Sequence, residues 1–178
     1  VVHAANTRSL TPQVTGFFFA KARLTVGTVW EVLEFRQSEK GEMIMIGDRI
    51  GEENGQVTGT RVLPARNGLP VVEISFQQSG EIYGIRVTDL GTYESVNLPD
   101  GRLTGRGHGV LMTPDGDTVS WDGYGMGRFT VGGRVSWRGS LHYHTTSERL
   151  DRLNDVVGMF EYEVDEAGKT TGTLWEWK

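Results

Sequence analysis

Apolar and polar residues alternate through much of the chain, in runs such as Leu103-Thr104-Gly105-Arg106-Gly107-His108 and Val135-Ser136-Trp137-Arg138-Gly139-Ser140-Leu141-His142-Tyr143. A period of two places one set of side chains on each face of a β-strand. The runs are punctuated by Pro99-Asp100-Gly101, Pro114-Asp115-Gly116, Val131-Gly132-Gly133 and Glu166-Ala167-Gly168. Each fits a three-residue hairpin loop, whose last residue takes the left-handed conformation that costs glycine least. Glu39-Lys40-Gly41, Asn54-Gly55 and Asn67-Gly68 read as further turns. Ten candidate strands lie between them: 28–37, 42–52, 56–64, 70–78, 81–98, 102–113, 117–130, 134–146, 156–165 and 169–177. The 81–98 run is long enough to bend, at Gly84 or Gly91. One short helix is predicted over 147–154, opened by Ser147 and Glu148.

Sequential hairpins make an antiparallel meander, and a meander of this length must close or stack to dispose of its edge strands. The predicted fold is therefore all-β: an antiparallel meander closed into a single β-barrel, with a two-sheet sandwich as the alternative. No domain boundary is visible. Residues 1–178 read as one barrel domain, with 1–25 as a peripheral N-terminal extension carrying weak helical signals.

The loop length fixes the register. The closing pairs Leu98/Arg102, Thr113/Asp117 and Thr130/Arg134 each have numbers of equal parity, so odd residues of these strands share one face and even residues the other. The odd face carries Tyr93, Leu103, Leu111, Val119, Trp121, Phe129, Val135, Trp137, Leu141 and Tyr143. In its middle lie Gly105, Gly107, Gly109, Gly123, Gly125, Gly127 and Gly139, with Gly105 opposite Gly125 and Gly107 opposite Gly123. Glycine weakens a strand, so this concentration calls for a reason: curvature of a tight barrel, or a pocket with a backbone floor and aromatic walls. The even face is polar, with Thr92, His108, Asp122 and His142 in one row and Glu94, Arg106, Tyr124 and Ser140 in the next. A carboxylate between two imidazoles can hold their tautomers or pass a proton. The same residues on a solvent-facing surface would be ordinary cross-strand pairs.

Composition narrows the chemistry. The chain has 25 Gly and no Cys, which removes disulfides, thiolate catalysis and Cys-based metal sites. A formal net charge of -5, with no basic run, makes a nucleic-acid partner unexpected. The apolar stretch Gly16–Ala20 is far too short to cross a bilayer, so no membrane partner is expected and the cytoplasm is the default location.

Local motifs add little. His142-Tyr143-His144 with Glu148 reads H-x-H-x3-E, like half of a cupin metal motif, but a preceding glycine and the downstream half are missing. The Gly-x-Gly runs lack the spacing and following helix of a dinucleotide fingerprint. Glu161 and Glu163 read as acids of a half-exposed strand, and Trp175 and Trp177 as residues that close the barrel or an interface. Glu31 and Glu34, near Trp30, are acids to watch, since a carboxyl inside an apolar barrel has a raised pKa and can act as acid or base.

The stretch from Gly101 to Lys178, with its G-x-G-x-G runs, PDGDTVSWDGYGMGR, WRGSLHYHTTSERLDRLN and FEYEVD…LWEWK, resembles a family of small bacterial proteins without an assigned activity. Their sheet is similar to the barrel of allene oxide cyclases and dirigent proteins. The resemblance implies an antiparallel barrel with an apolar cavity, often oligomeric, whose characterised relatives steer cyclisation or coupling of an apolar substrate without a cofactor. No catalytic motif of those relatives matches here.

The expectation is a barrel that binds a small apolar molecule, as a homo-oligomer and without cofactor or metal, and works as an isomerase or cyclase. Trp121, Phe129, Trp137 and Tyr143 would form its walls. His108, Asp122, Tyr124 and His142 would supply acid–base groups provided their face is internal. The alternatives are a cupin-like metal enzyme using His142, His144 and His108, and a structural or assembly protein with no ligand.

Overall fold

A computed structural model describes residues 47–177. The predicted strand at 28–37, the first five residues of that at 42–52, the turn at Glu39-Lys40-Gly41, the extension 1–25, and Glu31 and Glu34 lie outside that range. Within it, eight strands run in chain order: β1 (Gly47–Arg66), β2 (Leu69–Ile82), β3 (Ile85–Asn97), β4 (Arg102–Met112), β5 (Thr118–Phe129), β6 (Val135–Thr145), β7 (Val157–Val164) and β8 (Lys169–Trp177). Each pairs antiparallel with the next, and β8 pairs with β1, closing the barrel. The predicted meander and its closure hold, and the sandwich is set aside.

The four three-residue loops form as predicted. Leu98, Thr113, Thr130 and Asp165 each donate a backbone N–H to the carbonyl four residues on, and Gly101, Gly116, Gly133 and Gly168 all have positive φ. The register follows: Gly105 pairs with Gly125, Gly107 with Gly123, and Gly125 with Gly139.

Three local readings change. Asn54-Gly55 is not a turn but lies mid-strand, where β1 pairs on both sides. The 81–98 run is not one bent strand, because Tyr83 and Gly84 (φ 50° and 74°) turn the chain between β2 and β3. Positive φ at both positions gives a type I′ hairpin, the form whose twist matches the strands. Tyr83 is an unusual occupant, held by a hydroxyl bond to Glu176 (3.0 Å) and by the Arg152 guanidinium 4.6 Å over its ring. The helix predicted at 147–154 is a short 3-10 segment, Asp151–Asp155, tied to β6 where Asn154 accepts from the Thr145 N–H and donates to its carbonyl.

The core is the barrel interior. Ile82, Val87, Leu103, Leu111, Val119, Trp121, Trp137, Tyr143, Tyr162 and Leu174 are buried in one cluster, with Leu150 and Leu153 of the 3-10 region packed into it. The odd face of β3 to β6 is thus the inside and the even face the outside. Among the described residues no helix is long and apolar enough to cross a membrane.

Candidate functional site

The interior glycines are closely approached by side chains, and Gly105, Gly107, Gly123 and Gly125 also line a cavity. The ring of Trp121 lies over Gly109 and Gly91, that of Trp137 over Gly105 and Gly127, and that of Phe160 over Gly125 and Gly139. A Cβ at Gly127 would fall 2.7 Å from the Trp137 ring, and one at Gly105 2.9 Å from it. The glycines therefore make room for indole and phenyl rings in a narrow barrel, and this is why they gather on one face. Phe76 stacks near Trp121 (centroids 6.2 Å apart, 20° between planes), and Tyr93 meets Trp137 edge-on at 5.5 Å.

Between these rings remains a cavity of about 90 Å³, room for a molecule of a few heavy atoms. Its walls include Phe76, Tyr93, Trp121, Trp137 and Tyr162. Three buried polar residues also line it, Glu53, Gln78 and Asp89, only 4%, 3% and 4% exposed. Glu53 comes from β1, where both flanking partners are glycine, Gly80 on β2 and Gly172 on β8. Gln78 and Asp89 stand opposite each other on β2 and β3.

Their electrostatics follow from burial. Desolvation, with repulsion from Asp89, raises Glu53 to about 8. Desolvation also raises Asp89, to about 7, opposed by the Trp121 indole N–H that it accepts at 2.9 Å. Near neutral pH Glu53 therefore keeps its proton, and Asp89 is the readier of the two to ionise. Tyr143 is raised well above the ordinary phenol range, by burial first and then by the two carboxyls. Glu53 Oε1 and Gln78 Nε2, both at the cavity, have no hydrogen-bond partner. Buried groups are normally satisfied, so unpartnered atoms around one cavity mark a place where something else can bind. Two carboxyls in different environments, one protonated and one readily ionised, can also pass a proton between them and an occupant.

No family model matches the sequence, and no curated protein does. Solved structures share the fold. A protein with unknown function from Clostridium acetobutylicum ATCC 824 superposes with a TM-score of 0.64 at 9% identity, covering 74% of this chain and 98% of that one. A conserved protein of unknown function from Rhodopseudomonas palustris gives 0.63 at 11% identity, covering 72% and 95%. What they share is the barrel. The likeness to bacterial proteins without an assigned activity is thus met in the fold, and at such identities it brings no cyclase or dirigent identity with it.

The residues predicted for the site divide sharply. Trp121, Trp137 and Tyr143 are buried inside, and the first two wall the cavity. Phe129 is 58% exposed at the end of β5 and lies off the cavity. His108, Asp122 and His142 do form a row with Thr92 across four strands, but on the outer face, where these three are exposed and Thr92 half-buried. Tyr124 is also exposed, although it borders the cavity. The condition that their face be internal is not met. The physical reason is the parity that sends the large apolar residues inward. Tyr124 bonds the Thr104 hydroxyl there at 2.9 Å. His144 is exposed on the same face, and among the described residues no three His, Asp or Glu side chains stand together as a ligand set. Trp175 and Trp177 also alternate outward from the buried Leu174. Glu161 pairs with Arg138 at the surface, at 2.7 Å.

Glu53, Gln78 and Asp89 were not singled out from the sequence. Gly51-Glu52-Glu53-Asn54-Gly55 has the composition of a turn, which hid Glu53. For two of them the signal is the parity rule carried further: the turn at Tyr83-Gly84 reverses which parity faces inward, so Gln78, opposite Asp89, points to the core. Glu53 has no such signal, because β1 carries register shifts between Val57 and Gly59 and between Leu63 and Arg66, and buries both Ile50 and Glu53, which differ in parity.

Proposed function

We propose that the barrel binds a small, largely apolar molecule in its interior and acts on it as a cofactor-independent isomerase or cyclase. The observation that carries this reading is the Glu53–Asp89 pair: two buried carboxyls at an aromatic-walled cavity, one with an oxygen unpartnered. The rings supply apolar contact and hold one conformer, and the pair supplies an acid and a base at the same surface. This is the chemistry expected of a carboxyl in an apolar barrel, carried by Glu53 and Asp89 in place of the outer-face His108, Asp122, Tyr124 and His142.

Gly172 gives a clean test, because a Cβ there would meet nothing closer than the Gln78 side chain at 3.6 Å, an ordinary contact. Small apolar compounds are titrated against tryptophan fluorescence, since Trp121 and Trp137 wall the cavity. Saturable quenching is expected, and Gly172→Ala should weaken it several-fold with the melting temperature unchanged. Saturable binding by no compound, or binding indifferent to Gly172→Ala, would refute an interior site.

A further inference from the structure

Two unpartnered polar atoms at the cavity, on Gln78 and Glu53, can both donate. Gln78 Nε2 is an N–H donor, and Glu53, which keeps its proton, offers an O–H. Asp89, whose Oδ1 accepts the Trp121 indole N–H, accepts from neither Gln78 Nε2 nor Glu53 Oε1. Among the described residues every Arg and Lys is exposed, so these residues place two buried carboxyls in the interior and no cationic side chain. An anionic occupant would face both acids with no cation to offset them. A cationic occupant would bring donors of its own and leave Gln78 Nε2 and the Glu53 O–H unsatisfied. A neutral oxygen acceptor on a compact apolar body meets both conditions, and the aromatic walls suit such a body.

We infer that the cavity takes a small neutral carbonyl compound whose oxygen accepts from Gln78 Nε2 and the Glu53 carboxyl, while Asp89 moves a proton at the carbon beside that carbonyl. The inference rests on the interior site proposed above and names its substrate class. In the step, the Asp89 carboxylate takes a proton from the α-carbon. The C–H electron pair becomes the new C=C bond, and the carbonyl π pair moves to oxygen, where the two donors hold it. Return of the proton to the same carbon regenerates the ketone. Return to the γ-carbon of a β,γ-unsaturated ketone gives the conjugated isomer. No oxidant, reductant or further reactant is consumed.

The test uses three compounds of one ring size. Cyclopentanone, cyclopentane and cyclopentylammonium are titrated against tryptophan fluorescence, and α-proton exchange of cyclopentanone in D2O is followed by proton NMR. Cyclopentanone should bind, and its exchange should run at least about 10²-fold above background, the usual scale of a placed base. Asp89→Asn, whose amide oxygen can still accept the indole N–H, should keep binding and lose the exchange. Glu53→Gln, still a donor, should bind the ketone and exchange it roughly tenfold more slowly, the weaker acid being the poorer oxyanion partner. In the wild type the exchange rate should rise through about pH 7 as Asp89 ionises and fall above about pH 8 as Glu53 does. The other titratable groups facing the pair, the hydroxyls of Tyr93, Tyr143 and Tyr162, are raised further and stay neutral. Binding of cyclopentane or cyclopentylammonium in preference to the ketone would overturn the inference and leave the interior site standing. Binding of none of the three would overturn both. Ketone bound without Asp89-dependent exchange would overturn the proton transfer.

Discussion

Glu53→Gln isolates the cost of burying an acid. The sign is set by the direction of the shift: Glu53 is raised, from an ordinary 4.5 to about 8 in the folded protein. Below pH 4.5 both the folded and unfolded chains hold the proton, and the group costs nothing. Between the two values the unfolded chain releases a proton that the fold retains, so stability falls by about 1.4 kcal/mol per pH unit. Above about pH 8 both states are ionised and the full cost is present. Glutamine has the same shape and no ionisation, so the variant lacks this slope. Its unsatisfied amide costs about 1–3 kcal/mol, equally at every pH, and cancels when two pH values are compared. Three pH units from 5 to 8 at about 1.4 kcal/mol each give about 4 kcal/mol. The side chain is 4% exposed, so no discount for solvent screening applies. The assay is urea unfolding followed by tryptophan fluorescence, for wild type and variant at pH 5 and pH 8. The variant should gain about 4 kcal/mol on the wild type between those values. A difference that does not change with pH, or that moves the other way, would refute a buried, protonated Glu53.

Three further predictions follow from the packing. Gly139→Ala should cost about 1–3 kcal/mol or more in chemical denaturation, because its Cβ would stand 2.7 Å from both Gly125 Cα and the Phe160 ring; a cost as small as that of Gly172→Ala would show that the interior glycines are not set by crowding. Leu153→Ala should cost about 2–5 kcal/mol by the same measurement, since Leu153 is fully buried from the 3-10 segment. Asp122→Asn and His142→Ala, both exposed on the outer face, should each stay within about 0.5 kcal/mol of wild type and leave ligand titrations unchanged; a large loss of binding in either would return function to that face.

Much of the barrel is written in local residues. Three-residue loops ending in glycine carry their own geometry, and because side chains alternate strictly along a strand, Leu98/Arg102, Thr113/Asp117 and Thr130/Arg134 fix which residues meet from β3 to β6. The same parity assigned Trp121, Trp137 and Tyr143 to one face with the glycines. What it does not assign is which face is inside, because a polar row such as His108, Asp122 and His142 looks alike on a lumen and on a surface. Closure decides that, through the pairing of β8 with β1, which has no local signal across more than a hundred intervening residues. Two segments also escape the local code. Gly51–Gly55 has a turn's composition yet pairs on both edges, and Tyr83 takes a positive φ that tyrosine rarely adopts, held by Glu176 and Arg152 from distant segments. The acid pair depends on both, since Glu53 and Asp89 lie 36 positions apart and meet only when β1, β2 and β3 curl around one interior. The sequence by itself determined the strands, most of the turns and the register of the central sheet, all of which depend on neighbours along the chain. Only the tertiary structure decided which charges are buried, because burial is a property of the closed barrel as a whole.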